Sequence, residues 1–210
     1  MKRYGLRWLW VLIIALVYSC GPKDPQPALP SYLIIPADLS SYSGSGLITV
    51  TGEGLSLRAE GPEHIDTPTS TYYGVTGNVL QDDINAYFTV GQPRAYRENS
   101  SVPAQYRANG WLQIYNTMTP GTYRMGIREQ PGARGEIADL ILNLPGPQLY
   151  TMQSGSLTIS EVTTVKTQGT QQLKRIQGTF TVSATASGLG TTPGKAIPLT
   201  GSFDMLFVQD

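Results

Sequence analysis

The chain has 210 residues, with 15 basic and 15 acidic side chains, one histidine and one cysteine. This balance, with no run of like charges, provides no basic field for nucleic acid, so nucleic acid is not an expected partner. One cysteine excludes an internal disulfide and a thiolate metal cluster, and the length suffices for a hydrophobic core without cross-links. Abundant glycine (23) and proline (15) are typical of short strands joined by turns.

The first element is a basic segment followed by an apolar one. Lys2, Arg3 and Arg7 precede an unbroken apolar run of 11 residues, Trp8 to Tyr18. A membrane-spanning helix needs about 20 apolar residues, so this run predicts a secretory signal peptide instead. The sequence Val17-Tyr18-Ser19-Cys20 then resembles the bacterial lipobox, although Tyr18 is larger than the residue usual there.

The lipobox resemblance implies a lipoprotein. In that family the signal peptide, here residues 1–19, is cleaved before the cysteine, between Ser19 and Cys20. The thiol then receives a diacylglyceryl group, and the new amino group is acylated, for example with palmitate. The alternative is an ordinary signal peptide with a leftover thiol. Cleavage would remove three basic residues and leave 12 basic against 15 acidic side chains, a net charge of −3.

The segment after the cysteine predicts a tether. Gly21 to Ser31 holds four prolines in eleven residues, so residues 20–31 are expected to hold a folded domain off the membrane. Lys23-Asp24 resembles the export signal of Bacteroidetes surface lipoproteins, but Pro25 stands where a second acidic residue is usual. The predicted location is therefore the cell envelope, at the outer membrane, with the periplasmic or surface side left open.

From Tyr32 onward, apolar side chains alternate with polar ones, the pattern of antiparallel strands that cover one core. Residues 32–210 are therefore predicted to form one all-β domain, an antiparallel β-sandwich of roughly ten strands. Glu136 to Leu144 fits both a helix and a strand, and the flanking Gly135 and Pro145 favour a strand. The clearest apolar faces are Leu55, Leu57 and Ala59; Ile84, Ala86, Phe88 and Val90; Tyr123, Met125 and Ile127; Leu157 and Ile159; Ile176, Phe180, Val182 and Ala184; and Phe203, Met205 and Phe207.

Two polar stretches in the C-terminal half predict flexible loops at one end of the domain. They are Thr163 to Gln172 and Ser187 to Lys195.

Four short motifs occur in order in the C-terminal half. They are Gly121-Thr122-Tyr123, Gly155-Ser156-Leu157-Thr158-Ile159, Ile176-Gln177-Gly178-Thr179-Phe180 and Leu199-Thr200-Gly201-Ser202-Phe203. The series resembles a group of uncharacterised Bacteroidetes β-sandwich lipoproteins over about residues 110–208. The resemblance implies a sandwich and a lipid anchor, and it carries over no catalytic residue. In the last two motifs, glycine permits a bulge or a close backbone approach, and phenylalanine is the next inward side chain.

Aromatic residues offer the best ligand hypothesis. Trp111 and Tyr115 are predicted to share one strand face with Gln113, opposite Leu112 and Ile114. Exposed aromatic rings on a sheet can stack on sugar rings, and exposed apolar area usually marks binding. The alternative is that these rings fill the core or a sheet edge, with hydroxyls on polar partners.

A second aromatic pair, Tyr72 and Tyr73, is adjacent in sequence, so in a strand one ring must point away from the core. Both are candidate glycan-binding residues beside Trp111 and Tyr115.

Other candidate sites are weaker. His64 is the only histidine, in a loop-like stretch, and no second histidine or free thiol exists to form a metal or catalytic site with it. Asp82, Asp83 and Asn85 supply three oxygen donors within four residues, which suits a calcium ligand or a turn. No cofactor is expected.

Three function hypotheses remain open at this point. The first is a non-catalytic, lipid-anchored envelope protein that binds an unknown protein or envelope component. The second is a glycan-binding module that stacks sugars on exposed aromatic rings. The third is a glycoside hydrolase with two catalytic carboxylates, for which no pair of acids stands out in the sequence. The chain is therefore not expected to be an enzyme.

Overall fold

The alternating patterns form strands in the computed structural model, which describes residues 28–80, 83–94, 109–115, 119–126, 138–144, 148–187 and 194–210. The all-β prediction is confirmed, with eleven strands in those ranges. The lipobox, Cys20, Asp82 and most of the predicted tether lie outside them. The strands are β1 (Ser45–Gly52), β2 (Leu55–Gly61), β3 (His64–Asp66), β4 (Thr71–Leu80), β5 (Asp83–Pro93), β6 (Asn109–Ile114), β7 (Gly121–Met125), β8 (Ala138–Leu144), β9 (Gln148–Gln168), β10 (Gln171–Ser187) and β11 (Ala196–Gln209).

Hydrogen bonds join all eleven strands in one sheet, in the order β2-β1-β11-β10-β9-β7-β8-β6-β5-β4-β3. β9 pairs with β10 along one edge, and with β8 and then β7 along the other. Near its end β11 also meets β4, where Gln209 lies opposite Val79. A sandwich has two sheets that are not hydrogen-bonded to each other, so the predicted sandwich is not confirmed. The predicted count of about ten strands is not confirmed either.

The inward side chains of the strands form one hydrophobic core. In β5, Ile84, Ala86 and Phe88 are buried, as their alternation predicts. Glu136 to Leu144 was expected to be a strand, and its described part is β8. The largest buried core side chains include Phe88, Phe207, Ile48, Ile84, Leu112, Ile114, Met125, Leu140, Leu142, Met152 and Leu157.

The glycine–phenylalanine motifs pair with each other across β10 and β11. Gly178 lies opposite Phe203, and Phe180 lies opposite Gly201. A Cβ on either glycine would overlap the ring across from it, so each ring lies over the space that a glycine leaves. The pairing of β9 with β10 also shifts between Gln177 and Gly178, where Ser160 of β9 is the extra residue. A Cβ on Gly178 would also overlap the carbonyl oxygen of Thr158, so the predicted close backbone approach is found at this glycine. The motifs therefore describe core packing.

An extended segment at the start of the compact unit Ser31–Asp210 crosses the outward side of β9, β10 and β11. We call residues Ser31–Ser43 the strap. Lys166 of β9 donates to the carbonyls of Pro36 (2.7 Å) and Ala37 (2.6 Å). Four apolar side chains are buried outside the main core on this side of the sheet: Leu33 and Leu39 of the strap, Leu173 and Leu206.

The stretch Thr163 to Gln172, expected to be a loop, is mostly strand. β9 continues to Gln168 and β10 begins at Gln171. Hydrogen bonds from Lys166 and Gln168 to the strap stabilise the extended conformation of this part of β9. The polar side chains of the stretch therefore contact the strap and do not indicate a loop. Most of Ser187 to Lys195 lies outside the described residues. Where the structure is described, no helix has the length and apolar character to cross a membrane.

Candidate binding face around Trp111

Trp111 lies in the middle of the sheet and points outward. β6 pairs with β5 and with β8, and Trp111 sits directly opposite Tyr87 on one side and Ile141 on the other. Its neighbours Gly110 and Leu112 are buried, whereas 41% of Trp111 is exposed. The alternative of a core tryptophan is therefore wrong for this residue.

Two rows of outward side chains cross these strands side by side. The first row is Tyr87, Trp111 and Ile141, and the second is Asn85, Gln113 and Asp139. Residues directly opposite one another in antiparallel strands have Cβ atoms about 5 Å apart, so each row is continuous. Thr151 of β9 extends the first row to a fourth strand, which gives it a span of about 14 Å. We call these side chains, with Tyr115, the Trp111 face.

Polar groups in the second row are fixed by a chain of hydrogen bonds. Tyr115 Oη donates to Gln113 Oε1 (2.6 Å), and Gln113 Nε2 donates to Asn85 Oδ1 (2.8 Å). The oxygen of Asn85 is therefore occupied, while its amide nitrogen donates to no group in the described structure. Tyr115 is half-buried, so it orders the amides and is not an exposed stacking ring.

Buried polar side chains border Trp111 on the same outward face. Thr89, Gln92 and Asn109 are three of the six buried polar or charged residues among those described. Tyr87 Oη donates to Gln92 Oε1 (3.0 Å), and Asn143 Nδ2 donates to Asn109 Oδ1 (2.8 Å). These bonds satisfy buried groups and hold the rings and amides in place.

The tyrosine pair divides between the two faces of β4. Tyr72 lies opposite Gln92, on the outward side with Tyr87, whereas Tyr73 lies opposite Val90, which packs against the core. Gly91 is the extra residue between these pairs, and its φ of +83° suits glycine. The prediction that one ring points away from the core holds, but Tyr73 is not part of the Trp111 face.

Within the described ranges, which leave out Asp82, the remaining candidates do not converge on a metal or catalytic site. His64 lies in β3, not in a loop, and its exposed ring stacks on Tyr73 with centroids 6.1 Å apart. Asp83 begins β5, and the oxygen of Asn85 accepts from Gln113, so neither forms a calcium loop as placed. No group of three or more potential metal ligands occurs among the described residues.

A separate buried charge lies beneath the strap. Asp204 of β11 accepts two hydrogen bonds from Arg175, Nε to Oδ1 (2.9 Å) and Nη2 to Oδ2 (2.8 Å), and one from Tyr32 Oη (2.9 Å). The bonds to Asp204 raise the pKa of Arg175. Burial raises the pKa of Tyr32 above its ordinary value, and the bond to Asp204 adds to this. The cluster fixes the strap to the sheet.

Sequence reasoning found Trp111, Tyr115 and Tyr72 but missed Tyr87 and the role of the amides. Tyr87 alternates with the buried apolar residues of β5, and this pattern could have indicated that its ring points outward. Its place beside Trp111 depends on which strands pair, and the spacing between β5 and β6 does not reveal that.

No protein-family model, no curated protein and no solved structure matches the chain.

Proposed function

We propose that this chain is a lipid-anchored protein of the bacterial cell envelope that binds a ligand without catalysis. Cys20 would carry the lipid and residues 20–31 would form the tether, which would hold the domain at the outer membrane. The binding site would be the Trp111 face. The observation that carries the proposal is the exposed ring of Trp111 in the middle of a sheet.

Exposure of this ring is unusual for its position. A central strand has both backbone edges paired, so its outward residues need no apolar character to keep the sheet together. Tryptophan there leaves a large apolar surface in water, and such surfaces, when bordered by polar groups, mark binding sites. The bonded amides and the half-buried Tyr87 form that border.

Absence of catalysis is part of the proposal. Its support is the residue inventory, because one histidine and one cysteine leave few acid–base or nucleophilic combinations. Asp139 is the acidic side chain within the two rows. A hydrolase of the two-carboxylate type would need a second acid facing it across a cleft.

Site-directed cross-linking in living cells tests the binding face. A photoreactive benzophenone amino acid replaces Thr151, which lies opposite Ile141 in the first row, in one variant and Thr181, an exposed residue of β10, in the control. We expect light-dependent adducts with an envelope component from position 151 and none from position 181. Equal labelling at both positions, or none at 151, would contradict the proposal.

A further inference from the structure

We infer that the ligand of the Trp111 face is an uncharged glycan, with one sugar ring stacked on Trp111 and its hydroxyls bound by the amide row. This inference rests on the proposed binding function and specifies its ligand class. The aromatic ring, the fixed amides, the charge of the face and its rigidity each support it.

The ring of Trp111 matches the apolar side of a sugar. An aromatic ring has a negative face, which attracts the weakly positive C–H groups that cover one side of many pyranoses. Tyr87 and Ile141 flank the ring at the same level of the sheet. A flat outward row of this kind accommodates an extended chain of rings without a deep pocket.

The amides match the hydroxyl groups at the edge of a sugar. Tyr115 and Gln113 donate along the row toward Asn85, which fixes the orientation of both amide groups. Asn85 consequently presents N–H donors that no described group accepts, and a sugar hydroxyl is a suitable acceptor. Side-chain amides beside an aromatic ring are thus a small set of placed polar groups on an apolar surface.

The charge of the face selects a neutral ligand. Asp139 is the charged side chain in the two rows, and no Lys or Arg lies in them. A polyanionic glycan would require basic partners for its carboxylates or sulfates. Uncharged hydroxyls need no basic partner.

A protein partner fits less well. Stable protein interfaces bury about 800 Å² on each side around a well-packed apolar centre. Among the side chains of the two rows, Trp111 is a large apolar residue that is strongly exposed, whereas Ile141 is half-buried. The face therefore offers one strongly exposed apolar anchor beside one polar row, which is too little apolar surface for such an interface.

The sheet holds this arrangement before any ligand binds. β6 is bonded on both edges, and Tyr87 and Gln113 are hydrogen-bonded in place. A preorganised site loses less conformational entropy on binding, which allows a shallow surface to bind an oligosaccharide.

Calorimetric titration of the mature lipidated protein, in a detergent without a sugar headgroup, tests the inference. The probes are maltohexaose, cellohexaose, laminarihexaose, xylohexaose, mannohexaose and chitohexaose. We expect at least one to bind, and Trp111→Ala to weaken its binding at least tenfold. Tyr73→Ala is the matched control, because Tyr73 is similarly exposed (37%) but belongs to the other face, and it should leave affinity unchanged.

A second variant separates recognition from folding. Asn85→Asp keeps the oxygen that Gln113 Nε2 contacts but removes both N–H donors, and we expect about tenfold weaker binding with an unchanged melting temperature. Failure of all six probes to bind would overturn the inference, as would binding that Trp111→Ala leaves intact. If cross-linking from position 151 still captures a protein, the binding function stands and the glycan class is wrong; if it captures nothing, both fail.

Discussion

Asp204 carries a buried charge on the outward side of β11, where solvated side chains are usual. The residue is 6% exposed, and its carboxylate accepts two hydrogen bonds from Arg175 and one from Tyr32. Removing one partner of a buried ion pair typically costs about 3–5 kcal/mol, because the other charge is left without compensation. The strap is thus attached to the sheet by a charged cluster as well as by Leu33 and Leu39.

Alkaline pH tests this attachment at the level of single residues. Burial raises the pKa of Tyr32 and of Tyr42, both in the strap, above the ordinary value of tyrosine. For a raised pKa the folded state retains more protons than the unfolded state above about pH 10. The contribution of these two protonated tyrosines to the stability of the fold is therefore complete below about pH 10. It is lost as the pH rises through their pKa values in the folded state.

We expect the free energy of unfolding, measured with urea, to decrease from pH 9 to pH 11. Tyr32→Phe should cost about 1.5–3 kcal/mol at neutral pH, because a hydrogen bond to a charged group is lost, and should flatten the decrease. Tyr73→Phe removes a hydroxyl from an exposed ring and serves as the control. An identical pH dependence in wild type and Tyr32→Phe would show that Tyr32 does not attach the strap.

At the scale of the elements, β10 and β11 are held in register by reciprocal glycine–phenylalanine pairs. The ring of Phe203 lies over Gly178, and the ring of Phe180 lies over Gly201. A shift of one residue in either strand would turn the ring of that strand away from the core and leave the glycines opposite smaller side chains. The two glycine–phenylalanine motifs therefore have a packing role.

Gly178→Ala tests this role. The new methyl group would overlap the Phe203 ring and the carbonyl of Thr158, so we expect a loss of about 1–3 kcal/mol in the free energy of unfolding. Adding Phe203→Leu should recover part of the loss, because the smaller side chain makes room for the methyl group. A double variant whose loss equals the sum of the single losses would contradict direct packing between these residues.

The sequence predicted the inward faces of strands such as β5 because alternation is a local property. It did not predict the burial of Asp204 or Leu206, since the strap that covers them lies about 160 positions earlier in the chain. For the same reason Thr163 to Gln172 resembled a loop, although strap contacts extend β9 through it. Trp111 could be assigned to the correct strand face, but Tyr87 beside it required the strand pairing.

At the scale of the whole molecule, the proposed anchor determines where the binding face operates. Two or more acyl chains give stable membrane attachment where one is marginal, so a modified Cys20 would hold the protein at the envelope. We expect Cys20→Ala to abolish labelling by radioactive palmitate and to move the protein to the soluble fraction. Cys20→Ser, which keeps the size but cannot form the thioether, should behave alike. Unchanged membrane retention in both variants would contradict lipid anchoring.

Trp111 provides the most direct test of the central claim. Trp8 and Trp10 belong to the predicted signal peptide, so Trp111 would be the one tryptophan of the mature chain. The measurement is its emission spectrum and acrylamide quenching, alone and with each of the six neutral hexasaccharides. We predict red-shifted, strongly quenched emission that becomes protected when a hexasaccharide binds. Blue-shifted emission that acrylamide does not quench would place Trp111 in the interior and contradict the account.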